Sequence, residues 1–167
     1  MYAIALMVLL VGGYYIILYY LNHRTKTDLL AKNKIIDRPN KFFEQEHIFI
    51  TKIKTLSKIG EVIDKNVLNE YKISFEPNYE HHAIVFKNHA ISGTFGAGII
   101  LVGNEKKLFK YKFQIEAWNT VRGALGRPDL YGANILLTAV ERAFLKLDPD
   151  TEVIRKKAIY MKKPRLF

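Results

Sequence analysis

Phe109-Lys110-Tyr111-Lys112-Phe113-Gln114-Ile115-Glu116-Ala117 is the stretch on which the fold turns. Phe109, Tyr111, Phe113, Ile115 and Ala117 fall on one face of an extended chain, and Lys110, Lys112, Gln114 and Glu116 on the other. A strand with an aromatic inner face and a charged outer face belongs to an antiparallel sheet covered on one side. Trp118 follows at a parity opposite to Phe109 and Phe113, which suits either a partner contact or packing under a helix.

Upstream the period stays at two. Lys72 to Glu76 reads as a strand, Pro77-Asn78 as a turn, and Ala83 to Lys87 and Ile99 to Val102 as two further strands. Gly103-Asn104 reads as the turn into the aromatic strand. Downstream, Asp129 is placed to cap a helix whose apolar face is Leu130, Ala133, Leu137, Val140, Phe144 and Leu147, ended by Asp148-Pro149. Glu152 to Met161 reads as a last strand. Before the sheet, Phe42, Glu46, Phe49, Ile53, Leu56, Gly60, Ile63 and Val67 recur at steps of three and four. That spacing predicts an amphipathic helix over about 42–70, whole or broken near Gly60. The expected fold class is α+β: a small antiparallel sheet with two helices packed on one face.

The chain begins differently. Tyr2 to Leu21 carries no charge, and about twenty residues at 1.5 Å rise match the hydrocarbon thickness of a bilayer. A cleaved signal peptide would show a basic leader and a small-x-small cleavage site. Here Asn22-His23-Arg24 follows the apolar run. The expected organisation is a transmembrane anchor over 1–22, a basic juxtamembrane tether over 23–41 and a soluble α+β domain over 42–167. Arg24, Lys26, Lys32 and Lys34 lie just after the span, so the positive-inside bias predicts a single-pass protein with its C-terminal domain cytoplasmic, or on the matrix side in a mitochondrion. Gly12, Gly13, Tyr14 and Tyr15 sit near mid-span, where small residues and hydroxyls suit packing against another membrane helix.

The formal net charge of +10 is concentrated at the two flanks of the soluble part. Residues 24–41 net +4 and residues 151–167 net +5, which leaves the middle near neutral. Basic flanks beside an apolar helix suit an anionic lipid surface, whereas a nucleic-acid domain usually spreads its charge over a folded face. The chain has no cysteine, which excludes disulfides, thiolate metal sites and thiol nucleophiles.

The remaining motifs are weak carriers of chemistry. His81, His82 and His89 cluster in sequence, but neighbours on a strand face opposite ways and no metal-ligand spacing accompanies them. Ser92 to Gly98 is glycine-rich yet leads into a strand, unlike a phosphate-binding loop, and suits a bulge or tight hairpin. Arg122 and Arg127 flank two glycines before a helix N-terminus, a chemically reasonable anion site. Neither a catalytic motif nor a cofactor motif is present, and no cofactor is expected. The sequence therefore points to a non-enzymatic, membrane-anchored accessory or assembly subunit. Its partners would be protein subunits of a membrane complex, with anionic lipid headgroups as a further contact. The contact candidates are Arg122, Arg127, Trp118, Lys156, Lys157, Lys162, Lys163 and Arg165. One alternative is a membrane-tethered module binding a polyanion, RNA or anionic lipid. The other is a small hydrolase or transferase built on the Arg122–Arg127 loop.

Overall fold

The computed structural model describes residues 2–39, 41–89, 94–119 and 129–158. The elements run α1 (Tyr2–Ala31), β1 (Gln45–Thr51), α2 (Leu56–Val62), α3 (Lys65–Glu70), β2 (Ile73–Asn78), β3 (Ala83–Asn88), β4 (Thr94–Glu105), β5 (Leu108–Asn119), α4 (Leu130–Leu147) and β6 (Glu152–Lys157). The chain divides into two compact units, residues 1–37 and residues 38–167.

The first unit is α1, a helix long and apolar enough to cross a membrane. Its side chains from Leu6 to Leu21 are exposed almost all round, Leu9 at 72% and Ile16 at 71%. The helix does not stop where the apolar run stops but continues through the first basic residues to Ala31. There Lys34 N–H donates to Leu29 O and Asn33 N–H to Leu30 O, both at 2.9 Å, with Asn33 in the left-handed region at φ 55°. This double bond closes the last turn, and asparagine is the residue after glycine best suited to that conformation.

The second unit is α+β. Six strands form one antiparallel sheet in the order β2-β3-β4-β5-β1-β6. The aromatic strand lies inside it, with Phe113 opposite His47 and Tyr111 opposite Phe49. On the inner face Phe49 stacks on Phe144 of α4 with centroids 4.3 Å apart and planes within 6°, and both rings are fully buried. Tyr111 buries its ring beside Phe144 and donates its hydroxyl to Ile53 O at 3.0 Å. Leu56, Ile59 and Ile63 around α2 and Leu68 of α3 join the same core as the sheet residues and α4.

Several expectations are corrected. The predicted helix over 42–70 is a strand followed by two short helices. Phe42 to Glu44 makes a single 3-10 turn, then His47, Phe49 and Thr51 alternate inward along β1. Phe49 and Ile53 satisfy helical and strand periods alike, and the β-favouring run Ile48-Phe49-Ile50-Thr51 decides between them. The helices resume only at Leu56, and Asp64 caps α3 by accepting from Asn66 N–H and Val67 N–H. Consequently the described residues of this unit form six strands, and three α-helices where two were expected.

The turn expected at Gly103-Asn104 lies three residues later. Both residues belong to β4, and the chain reverses at Lys106-Lys107 between the paired residues Glu105 and Leu108. Thr94 to Gly98, the described part of the glycine-rich stretch, is strand and not loop, and the expected bulge is the register shift between Gly96 and Ala97. Beyond that shift Trp118 stands in register with Phe95. Strict alternation cannot be extrapolated through a bulge, because one extra residue exchanges the faces.

Candidate functional site

Asn134, Thr138 and Glu141 follow one another at steps of four and three along α4, so they share one stripe beside the apolar one. All three are buried polar residues. Buried polar groups at helical spacing require a partner, and the partner is Arg38, the first residue of the second unit. Its guanidinium donates to Asn134 Oδ1 at 3.1 Å, Thr138 Oγ1 at 3.5 Å and Glu141 Oε2 at 2.7 Å. Both charged side chains are about 5% exposed. Pro39 precedes a 3-10 turn whose first residue, Phe42, donates its N–H to Pro39 O at 2.9 Å, which fixes the chain as it leaves Arg38.

Two more groups meet the same carboxylate. Arg155, on the edge strand β6, donates to Glu141 Oε1 at 3.4 Å while half of its side chain remains in solvent. His47, opposite Arg155 across the β1–β6 ladder, is 1% exposed, and its Nδ1 stands 3.8 Å from Glu141 Oε1. That separation is too long for a hydrogen bond. Among the described residues neither nitrogen of His47 has a hydrogen-bond partner. Burial, and then the charges of Arg38 and Arg155, push the imidazole down to about 4, so it is neutral at ordinary pH. Burial also pushes the Arg38 guanidinium below its ordinary value; Glu141 pulls it back up, and the charges of Arg155 and Arg142 push it down. Two guanidiniums thus share one carboxylate beside an uncharged imidazole.

A second polar knot closes the far end of α4. Asp148 accepts from Thr51 Oγ1 and Lys52 N–H, each at 2.7 Å, and from Asp150 N–H at 3.3 Å. Thr151 donates its hydroxyl to Asp148 O at 2.7 Å. The bonds from Lys52 N–H and Thr51 hold the Asp148 carboxyl below its usual range. Its work is architectural: it ties the end of β1 to the end of α4.

The predicted contact residues are only partly assembled. Lys156 and Lys157 are exposed on β6, in register with Glu46 and Gln45. Arg122, Arg127, Lys162, Lys163 and Arg165 lie outside the described residues. Trp118 takes the register position already given. Asp129 caps α4 as expected, accepting from Tyr131 N–H and Gly132 N–H at 3.2 Å. On α1, Gly12 and Gly13 have open space around them and Tyr14 and Tyr15 are 60% and 66% exposed. His81 and His82 sit in the β2–β3 turn, and no group of three or more potential metal ligands occurs among the described residues.

Sequence reasoning missed the Arg38, His47, Glu141 and Arg155 cluster. One signal was available: the polar stripe Asn134, Thr138, Glu141 in an otherwise apolar helix. Its partner is about a hundred residues away in sequence, and no local pattern points there. Comparison with protein-family models, with curated proteins and with solved structures finds no match.

Proposed function

We propose that the chain is a non-enzymatic accessory or assembly subunit, anchored in a membrane by α1 and presenting its α+β unit on the cytoplasmic side. The observation that carries this reading is the exposure of α1, on which fourteen large apolar or aromatic side chains lie exposed between Leu6 and Leu21. An apolar surface of that extent in water calls for lipid or for another protein. The sidedness rests on Arg24, Lys26, Lys32 and Lys34 just after the apolar run. The non-enzymatic part rests on the sequence, in which no nucleophile–base or metal-ligand spacing occurs.

Purification of the full-length chain in mild detergent tests the subunit reading. Stoichiometric co-purifying membrane proteins are the expected result, and a chain that runs alone as a monomer would overturn it. A reporter fused after Phe167 tests the topology, with activity expected only in the cytoplasm.

A second reading, a membrane-tethered polyanion-binding module, is favoured by Lys156 and Lys157, both exposed on an edge strand. Its mark would be RNA binding by the full-length chain that falls steeply with salt.

A further inference from the structure

β6 is the last strand of the sheet, paired with β1 on one side only among the described residues. Successive residues of a strand alternate faces, so Arg155 and Lys157 share one face and Lys156 takes the other. Arg155 reaches inward far enough to touch Glu141 on α4, yet its side chain is 51% exposed. Its tie to Glu141 Oε1 is long at 3.4 Å, whereas Arg38 binds Glu141 Oε2 at 2.7 Å. The guanidinium has five donors and this contact uses one edge of the fork. Lys157, two residues on, is exposed beside it. His47 lies opposite Arg155 with both nitrogens unpartnered and buried, and carries no negative charge that would balance the site.

We propose that Arg155 and Lys157 form a binding site for the phosphate of an anionic lipid headgroup, with Glu141 holding the guanidinium in place from behind. A fork plus an ammonium on one strand face matches the oxygens of a phosphate, the fork supplying direction and the ammonium charge. The apolar run ends at Leu21, and the sixteen residues 22–37 join it to Arg38 in the same cluster. That continuity favours a lipid headgroup over a free phosphate as the source. The inference rests on the reading of α1 as a membrane anchor and adds a defined headgroup site to it.

The test uses the full-length chain in nanodiscs, with spin-labelled phosphatidylglycerol and phosphatidylcholine as probes. The wild-type chain should prefer the anionic lipid. Arg155→Gln and Lys157→Gln should each lower that preference about five-fold, the ratio for one basic residue near an anionic surface. Arg155→Lys separates a built site from a diffuse field, because it keeps the charge and loses the fork. It should lower the preference nearly as far as Arg155→Gln. Lys87→Gln, on β3 toward the opposite edge of the sheet, should leave the preference unchanged. Equal losses for Lys87→Gln and Lys157→Gln, or full retention in Arg155→Lys, would reduce the effect to general charge and overturn the site. A wild-type chain that floats with vesicles but shows no lipid preference overturns the site while leaving the anchor standing. A chain that does not float with vesicles removes both. Melting curves of each variant in the same nanodiscs identify any loss that comes from unfolding.

Discussion

Arg38 Nη2 and Glu141 Oε2 stand 2.7 Å apart with both side chains about 5% exposed, joining the first residue of the α+β unit to the middle of its longest helix. A buried ion pair is not strong evidence of net stability, since both ions had to be desolvated. Removing one partner is another matter, because the survivor stays buried and unpaired. Glu141→Ala should therefore cost about 3–5 kcal/mol. Arg155→Ala, at a half-exposed position, should cost under about 1 kcal/mol. Thermal or denaturant melts of the full-length chain in detergent measure both. A Glu141→Ala chain as stable as the wild type would mean that Arg38 is solvated and the pair is not formed.

His47 makes the stability depend on pH. Its imidazole is pushed from 6.5 down to about 4, by burial first and by Arg38 next. The unfolded chain therefore binds a proton at a pH where the folded chain does not, and stability falls as pH falls between those two values. The contribution is fully present above about 6.5 and is lost by about 4, a difference of roughly 3 kcal/mol. His47→Phe removes the titration and keeps an aromatic ring beside Phe113. The slope of stability between pH 6.5 and pH 4 should be shallower in that variant by about that amount. Identical slopes would show that His47 is accessible to solvent or already protonated in the folded chain.

The contrast between these residues and the aromatic strand shows what one sequence can tell. Phe109, Tyr111 and Phe113 announce their face by alternation alone, and Phe144 by its place in a helical stripe. Phe113 and Phe144 are indeed buried, at 1% and 0% exposure. Both patterns are local, so both are legible. The segment from Phe42 to Val67 is also patterned, but its apolar residues satisfy two periods at once, and its first part takes the strand period. The Arg38–Glu141 pair has no local pattern at either end. The register shift at Gly96 and Ala97 is a property of two strands together, and so is the pairing of Trp118 with Phe95. What the sequence hides here is the long-range pairing, and the candidate site is made of it.

Asp148 is read from sequence as the end of a helix, and the structure adds that its carboxylate gathers Thr51 and Lys52 N–H from β1. Asp148→Ala leaves a buried hydroxyl and a backbone N–H without their acceptor. Each such group costs about 1–3 kcal/mol. Thr51→Val, which removes one of the two donors, should cost less than Asp148→Ala. Because the Asp148 carboxyl is held below its ordinary value, its contribution is present above the usual carboxylate range and is lost as pH falls through it. Amide hydrogen exchange at Lys52 measures the local effect directly, and should quicken in Asp148→Ala more than at residues of β3. Unchanged exchange at Lys52 would show that the N–H has another acceptor.

The Lys106-Lys107 turn is the place where the sequence is least suited to its conformation. A two-residue hairpin joins Glu105 to Leu108, and both central residues are left-handed, at φ 50° and 69°. Turns of this kind match the twist of the flanking strands, and they favour Asn-Gly because side chains with a Cβ are strained there. Lysine at each position stores roughly 1 kcal/mol of that strain. The double substitution Lys106→Asn, Lys107→Gly should therefore stabilise the hairpin by about 1–2 kcal/mol, less the entropy that glycine returns to the unfolded chain. A melt of the full-length variant against the wild type gives the sign. Destabilisation would mean that the chain reverses elsewhere, Gly103-Asn104 being the stretch that the pattern of residues alone would nominate. The same experiment separates the two registers of β4 on β5, because a turn at Gly103-Asn104 would leave Lys106 and Lys107 inside a strand, where asparagine and glycine both weaken pairing.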